Sequence, residues 1–231
     1  MIALRFAVAA GLLSLAHGAN AQTSVVSMPE VFSTPTETFR LSDIGAADAN
    51  YSIAEFSGNR QRDMKAVDFQ SAQPGNPSRF TLSGTTTPGE ISAVCKNSGR
   101  VAEISYPEFK PQPGAFRCAF TVDGQPMHAQ FEMQENAEPI ANHGSRMAQR
   151  GEINMDGTVL QIRSVHKMKD TVKRSAVPLG YLFEIDGKPV GGVALGDVKQ
   201  VILPTAEAGE LREIVLTGVL ALSLMWHTSA M

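Results

Sequence analysis

The chain has 231 residues, with 20 Lys and Arg against 23 Asp and Glu, for a formal net charge of −3. That balance argues against a strong nucleic-acid partner, and 43% hydrophobic with 19% charged residues argues against a disordered chain. The length suits one domain with a substantial core, or two small ones.

The first stretch, "MIALRFAVAAGLLSLAHGANAQ", sets one Arg ahead of a short apolar run and closes in Ala19-Asn20-Ala21. This is the layout of a cleaved export signal over residues 1–21, bacterial in style, and it predicts a periplasmic or secreted product beginning at Gln22. The leader holds one basic residue and no acidic one, so the remaining chain, 22–231, is acidic by four.

Beyond it, short apolar alternations recur between turn residues, as half-buried antiparallel strands do. The candidate strands are "YSIAEF", "KAVDFQ", "RFTLSG", "EISAVC", "RVAEISY", "FRCAFTV", "HAQFEMQ", "TVLQIRSV", "YLFEI", "VGGVAL" and "QVILP". A short helical turn is expected in "PIANHGSRMAQ". No stretch reads as a long flexible linker, which favours a single β-rich domain.

Cys95 and Cys118 lie in two of these runs. Two cysteines in an oxidising compartment predict one bridge, stabilising by ~3.5 kcal/mol in the chain-entropy model. Two buried free thiols are the alternative. A metal pair is disfavoured, because the spacing is far from C-x-x-C and no His clusters nearby.

"AFTVDGQPMHAQFEM" and "LFEIDGKPVGGVALG" share the frame F-x-x-D-G-x-P, with Phe120, Asp123, Gly124 and Pro126 matching Phe183, Asp186, Gly187 and Pro189. Asp-Gly between alternating runs is a tight-turn signal, since both central positions favour φ > 0. The echo extends upstream, where "SGRVAEIS" resembles "DGTVLQIR".

No G-x-S-x-G, H-E-x-x-H or Gly-rich phosphate loop occurs, and no cofactor or metal is expected. His128, His143 and His166 are scattered, and Glu103, Glu108 and Glu132 would form a carboxylate pair only if strand packing joined them. The feature suited to a charged partner is "HKMKDTVKRS", where Lys167, Lys169, Lys173 and Arg174 outnumber Asp170. "NRQRDMK" at 59–65 is a second basic stretch, and juxtaposition of the two would strengthen a binding role.

The chain ends in "LREIVLTGVLALSLMW", within a helix expected over 206–227. Its apolar part, Ile214 to Trp226, is thirteen residues long, whereas a bilayer needs about twenty. Glu207, Glu210 and Glu213 suit the positive end of a helix, and Thr205 is the expected N-cap. The tail therefore reads as a buried core helix and not a membrane span. Thr217, Gly218 and Ala221 form a small-residue patch that would let a strand or backbone approach. Strands followed by a helix apolar on every face predict a mainly β (α+β) fold, an antiparallel barrel enclosing its C-terminal helix. A β-sandwich with the helix on one face is the alternative.

The stretch from 157 to 226, "GTVLQIRSVH", "PLGYLFEIDGKPVGGVAL" and the final helix, resembles the tubby-like and LURP-one-related barrel superfamily. The resemblance implies a barrel closed around a hydrophobic C-terminal helix and association with membrane lipid. An exported, acidic chain departs from the phosphoinositide binders of that group, so no binding residues carry over. The expected function is an exported, non-catalytic envelope protein that binds anionic lipid or a protein partner. The alternative is a small periplasmic hydrolase whose site is assembled only in the fold.

Overall fold

A computed structural model describes residues 26–41, 48–63, 77–85, 87–98, 115–139, 145–171 and 174–225. The expected leader, "KAVDFQ", "RVAEISY" and all but the first residue of "SGRVAEIS" lie outside them.

The first five strands are β1 (Thr36–Arg40), β2 (Asp48–Ile53), β3 (Phe56–Gln61), β4 (Ser78–Leu82) and β5 (Ile91–Ser98). They continue as β6 (Ala115–Val122), β7 (Gln125–Pro139), β8 (Ser145–Met155) and β9 (Thr158–Val165). The last are β10 (Gly180–Ile185), β11 (Lys188–Ala194) and β12 (Gln200–Pro204), before helix α1 (Glu210–Ser223). All twelve strands join one antiparallel sheet in which β2 to β12 neighbour each other in chain order, and β1 adds to the far side of β12. The sheet curls into a nearly closed barrel, and the sandwich alternative falls away because the described strands form one sheet and not two. Its seam lies between β1 and β2, the two ends of the strand order.

Three Asp-Gly turns make the tight hairpins. Asp123-Gly124, Asp156-Gly157 and Asp186-Gly187 all hold positive φ, between 48° and 92°, as a two-residue turn matched to the strand twist requires. The two hairpins that share F-x-x-D-G-x-P also share a register shift after the proline. Thr121 faces Pro126 but Ala119 faces Gln130, and Glu184 faces Pro189 but Phe183 faces Gly191. Proline has no N–H to give the ladder, so a bulge beside it is the low-cost geometry. Phe120 and Phe183 both point into the core, so the sequence echo extends to backbone shape.

Cys95 and Cys118 sit directly opposite each other on β5 and β6, bonded, with Cα atoms 4.0 Å apart. The bridge faces the interior, where both residues are buried.

Helix α1 runs through the middle and touches β4, β8, β11 and β12. Every residue from Arg212 to Met225 is buried, so no face is left to water. Two small residues permit this fit. A Cβ on Gly191 of β11 would lie 2.8 Å from Val215 Cγ1, and one on Gly218 would collide with the Phe183 ring. The small patch on the helix thus receives an aromatic ring, where a strand or backbone was expected.

Four other expectations are corrected. "YSIAEF" is not one strand, because Ala54-Glu55 turn the chain from β2 into β3, with Ala54 at φ 55°. The described part of "PIANHGSRMAQ" is the last residue of β7 and the start of β8 and not helical, since pairing of the two strands outweighs local propensity. Helix α1 is shorter than 206–227: a 3-10 turn at Ala206–Ala208 precedes it. Thr205 caps that turn without a side-chain hydrogen bond, and Gly209, at φ 45°, stands at the N-cap of α1.

Arg212 bridges the seam. Its Nε and Nη2 donate to Glu55 Oε1 and Oε2 at 2.8 and 2.9 Å, and its Nη1 donates to Glu37 Oε2 at 3.0 Å and to Pro204 O. The guanidinium also lies 5.3 Å from the Phe39 ring centroid. One side chain from the helix thereby ties β1 to the β2–β3 turn. Outside the barrel, residues 26–35 form a strap over β9 to β11, where Val26 packs with Val165, Leu182 and Ala194. Within the strap, Ser33 N–H donates to Pro189 O at 2.8 Å.

Candidate functional site

The two ends of the barrel differ. At the end where α1 enters, the β2–β3, β6–β7, β8–β9 and β10–β11 connections are two-residue turns. At the end where α1 finishes, the strands are joined by longer connections, the β3–β4, β5–β6 and β9–β10 connections spanning 62–77, 99–114 and 166–179 in the chain. Binding residues concentrate on long connections carried by a rigid scaffold, so this end is the candidate site.

On its rim stands a short basic hairpin, of which residues 167–171 and 174 are described. Lys167 and Arg174 face each other in an antiparallel bridge, with Asp170 turning the chain at φ 59°. Lys167, Lys169 and Arg174 are exposed, whereas Lys173 lies outside the described residues. Met168 and Val177 are also exposed, at 36% and 60%. The hairpin is held from two sides. Val26 of the strap bridges Met168, and Ser27 N–H donates to Lys167 O at 2.9 Å.

Buried His166 fixes the base. Its Nδ1 lies 3.0 Å from Ser175 O, its Nε2 lies 2.8 Å from Ser164 Oγ, and Ser175 N–H donates back to His166 O at 2.7 Å. A carbonyl can only accept, so Nδ1 carries a proton, and in neutral imidazole Nε2 accepts from Ser164.

Inside the mouth, the strands carry polar residues where the core ends. Tyr181 Oη donates to Gln149 Oε1, and Gln149 Nε2 donates to Glu135 Oε2 at 2.9 Å. Burial, then the Glu135 carboxylate, raise the Tyr181 hydroxyl far above its usual pKa, so it stays a neutral donor. Ser164 Oγ accepts from Gln149 N–H at 2.9 Å. On β3, Phe56, Gly58 and Arg60 alternate inward, and Arg62 continues that spacing into the mouth. Arg60 is 1% exposed and donates from Nη1 to Ser223 O at 2.8 Å, capping a carbonyl that α1 leaves open. Burial, then the neighbouring Arg62 charge, bring the Arg60 pKa down to about 10.

The fold thus brings both basic stretches to one end without joining them. Arg60 points inward from β3 and Arg62 lies buried just beyond its end, while the basic hairpin stands on the rim between β9 and β10, nearly opposite in strand order. The carboxylate pair does not form from Glu132, which instead accepts from Arg117 Nε at 2.6 Å; Glu103, Glu108 and His143 lie outside the described residues. His128 is exposed. Among the described residues no group of three His, Cys, Asp or Glu could hold a metal, and no helix is long and apolar enough to cross a membrane.

The architecture defines the class: a disulfide-bonded, nearly closed antiparallel barrel packed around a C-terminal helix, with a polar mouth at the end where that helix finishes. No protein-family model, curated protein or solved structure matches the chain.

Proposed function

We propose that this is an exported cell-envelope protein that binds anionic membrane surfaces through the basic hairpin at 167–174. The observation that carries the reading is Met168, exposed between Lys167 and Lys169 on a hairpin held by the strap and by His166. An apolar side chain flanked by cations suits a headgroup boundary, where the apolar group enters and the cations meet phosphates. The Cys95–Cys118 bridge supports an oxidising compartment, periplasmic or extracellular, and the barrel around a helix supports the tubby-like resemblance.

Each Lys or Arg near an anionic surface contributes about 1 kcal/mol. Replacing Lys167, Lys169 and Arg174 together with Gln is therefore expected to weaken binding to phosphatidylglycerol-containing vesicles about 100-fold at low salt. Thermal stability should barely change, because exposed charges contribute little to folding. Cosedimentation measures the affinity. Absence of binding by the unaltered protein, or equal binding by the variant, would contradict a lipid role.

Ser164 and His166 favour a second reading, hydrolysis. The hydroxyl lies 2.8 Å from Nε2 of an imidazole oriented by a backbone carbonyl, which is the geometry of a nucleophile and its base. Its Oγ also accepts Gln149 N–H, so the same contacts serve to lock the hairpin base. A fluorophosphonate probe that labels the protein, and fails to label Ser164→Ala, would support the enzyme.

A further inference from the structure

Arg62 continues the inward alternation of Arg60 just beyond the end of β3 and is 7% exposed. Among the described residues its Nε and Nη2 have no hydrogen-bond partner. The adjacent Arg60 is committed to the Ser223 carbonyl, and the carboxylate that acts on it is Asp48. Burial lowers the Arg62 guanidinium pKa. A buried guanidinium keeps its charge under almost all conditions, so leaving two of its nitrogens, Nε and Nη2, unpaired is costly.

What the site lacks is an acceptor of defined shape. Nε and Nη2 form one edge of the planar guanidinium, spaced to meet two coplanar oxygens. Continuing the β3–β4 register past Gln61 and Arg79 sets Arg62 opposite Ser78, which is 1% exposed. Ser78 Oγ accepts Asp63 N–H at 3.0 Å, which leaves its own O–H as a further donor. The negative end of α1 would repel an anion, but Arg60 already covers the Ser223 carbonyl there.

We propose that Arg62 Nε and Nη2, with the Ser78 hydroxyl, form a binding site for the carboxylate of a small organic acid inside the barrel mouth. Arg60 is already matched by Asp48 and the Ser223 carbonyl, so a carboxylate neutralises the one remaining guanidinium, whereas a phosphate dianion would leave excess charge near the buried apolar Phe80 and Cys95. The site is separate from the rim hairpin and does not depend on its role.

The test is thermal unfolding of the full-length exported protein in sodium acetate against sodium chloride at equal ionic strength. Acetate is expected to raise the Tm of the unaltered protein by about 3 °C, and inorganic phosphate to raise it less. The Lys167, Lys169 and Arg174 triple Gln variant should keep the acetate effect, which separates this site from the membrane reading. Arg62→Met should lose the effect and yet be at least as stable in chloride, because an apolar chain of similar length replaces an uncompensated charge. Arg62→Lys, which keeps the charge without the fork, should show a smaller rise. Four results would overturn the proposal: no acetate-specific rise in the unaltered protein, an equal rise in Arg62→Met, an equal rise with phosphate, or loss of cooperative unfolding by Arg62→Met in chloride. The last would mean that the guanidinium already has its partner within the protein.

Discussion

Glu213 stands in the first turn of α1, where the helix dipole favours negative charge, yet it is only 6% exposed. Burial, then the charges of Glu210 and Asp156, raise its pKa to about 7. The folded protein therefore holds this proton more tightly than the unfolded chain does. The stability linked to it is fully present below the unfolded value of 4.5 and is lost as pH rises through about 7. Glu213→Gln should be more stable than the unaltered protein by about 3 kcal/mol near pH 8, and should match it near pH 4. Denaturant unfolding at the two pH values checks this, and an equal offset at both would contradict it. From sequence, Glu213 looks like an ordinary favourable first-turn acid, because nothing local reveals that the barrel wall covers it. Arg60 and Arg62 were hidden in the same way: "NRQRDMK" reads as solvated charge. The available signal was their period-two spacing with Phe56 and Gly58, which puts all four on one face of a strand.

At the scale of elements, Gly218 sets two effects against each other. Helix propensity alone makes Gly218→Ala stabilising by about 1 kcal/mol. The new methyl would collide with Phe183, whose ring is wholly buried and has nowhere to move. Overpacking should win, leaving the variant less stable by about 1–3 kcal/mol, as read from the urea midpoint. A stabilised variant would mean that the helix and β10 are less closely fitted than described. The small patch itself was legible in the sequence, but its partner was not, because contact between distant segments leaves no local trace. Asp-Gly turns, alternating runs and the apolar tail were legible because backbone chemistry or periodicity fixes them within a few residues. β8 was not. Its inward positions are Gln149, Gly151, Ile153 and Met155, so the half nearest the mouth carries no apolar alternation. Gly151 is small because a side chain there would strike the Glu132 backbone. β1 was missed for a related reason: "TETFR" is half-exposed and polar, and it becomes a strand by pairing with β12.

At the scale of the whole molecule, barrel and helix are one structure. The strands are too many for their own side chains to fill the interior, and α1 supplies the remaining volume. The Arg212 network ties the helix to both sides of the seam, and the Arg212 guanidinium holds the Glu55 carboxyl below its ordinary pKa by hydrogen bonding. Removing α1 would strip the apolar lining of its partner and release the seam together. The most direct measurement is thermal unfolding, followed by circular dichroism, of a chain ending at Gly209 beside the full-length protein. An enclosed helix predicts a cooperative transition for the full-length protein and none for the shortened chain, which should aggregate or be degraded. A shortened chain that stays soluble and unfolds cooperatively would show that the barrel has its own core, and would contradict this account.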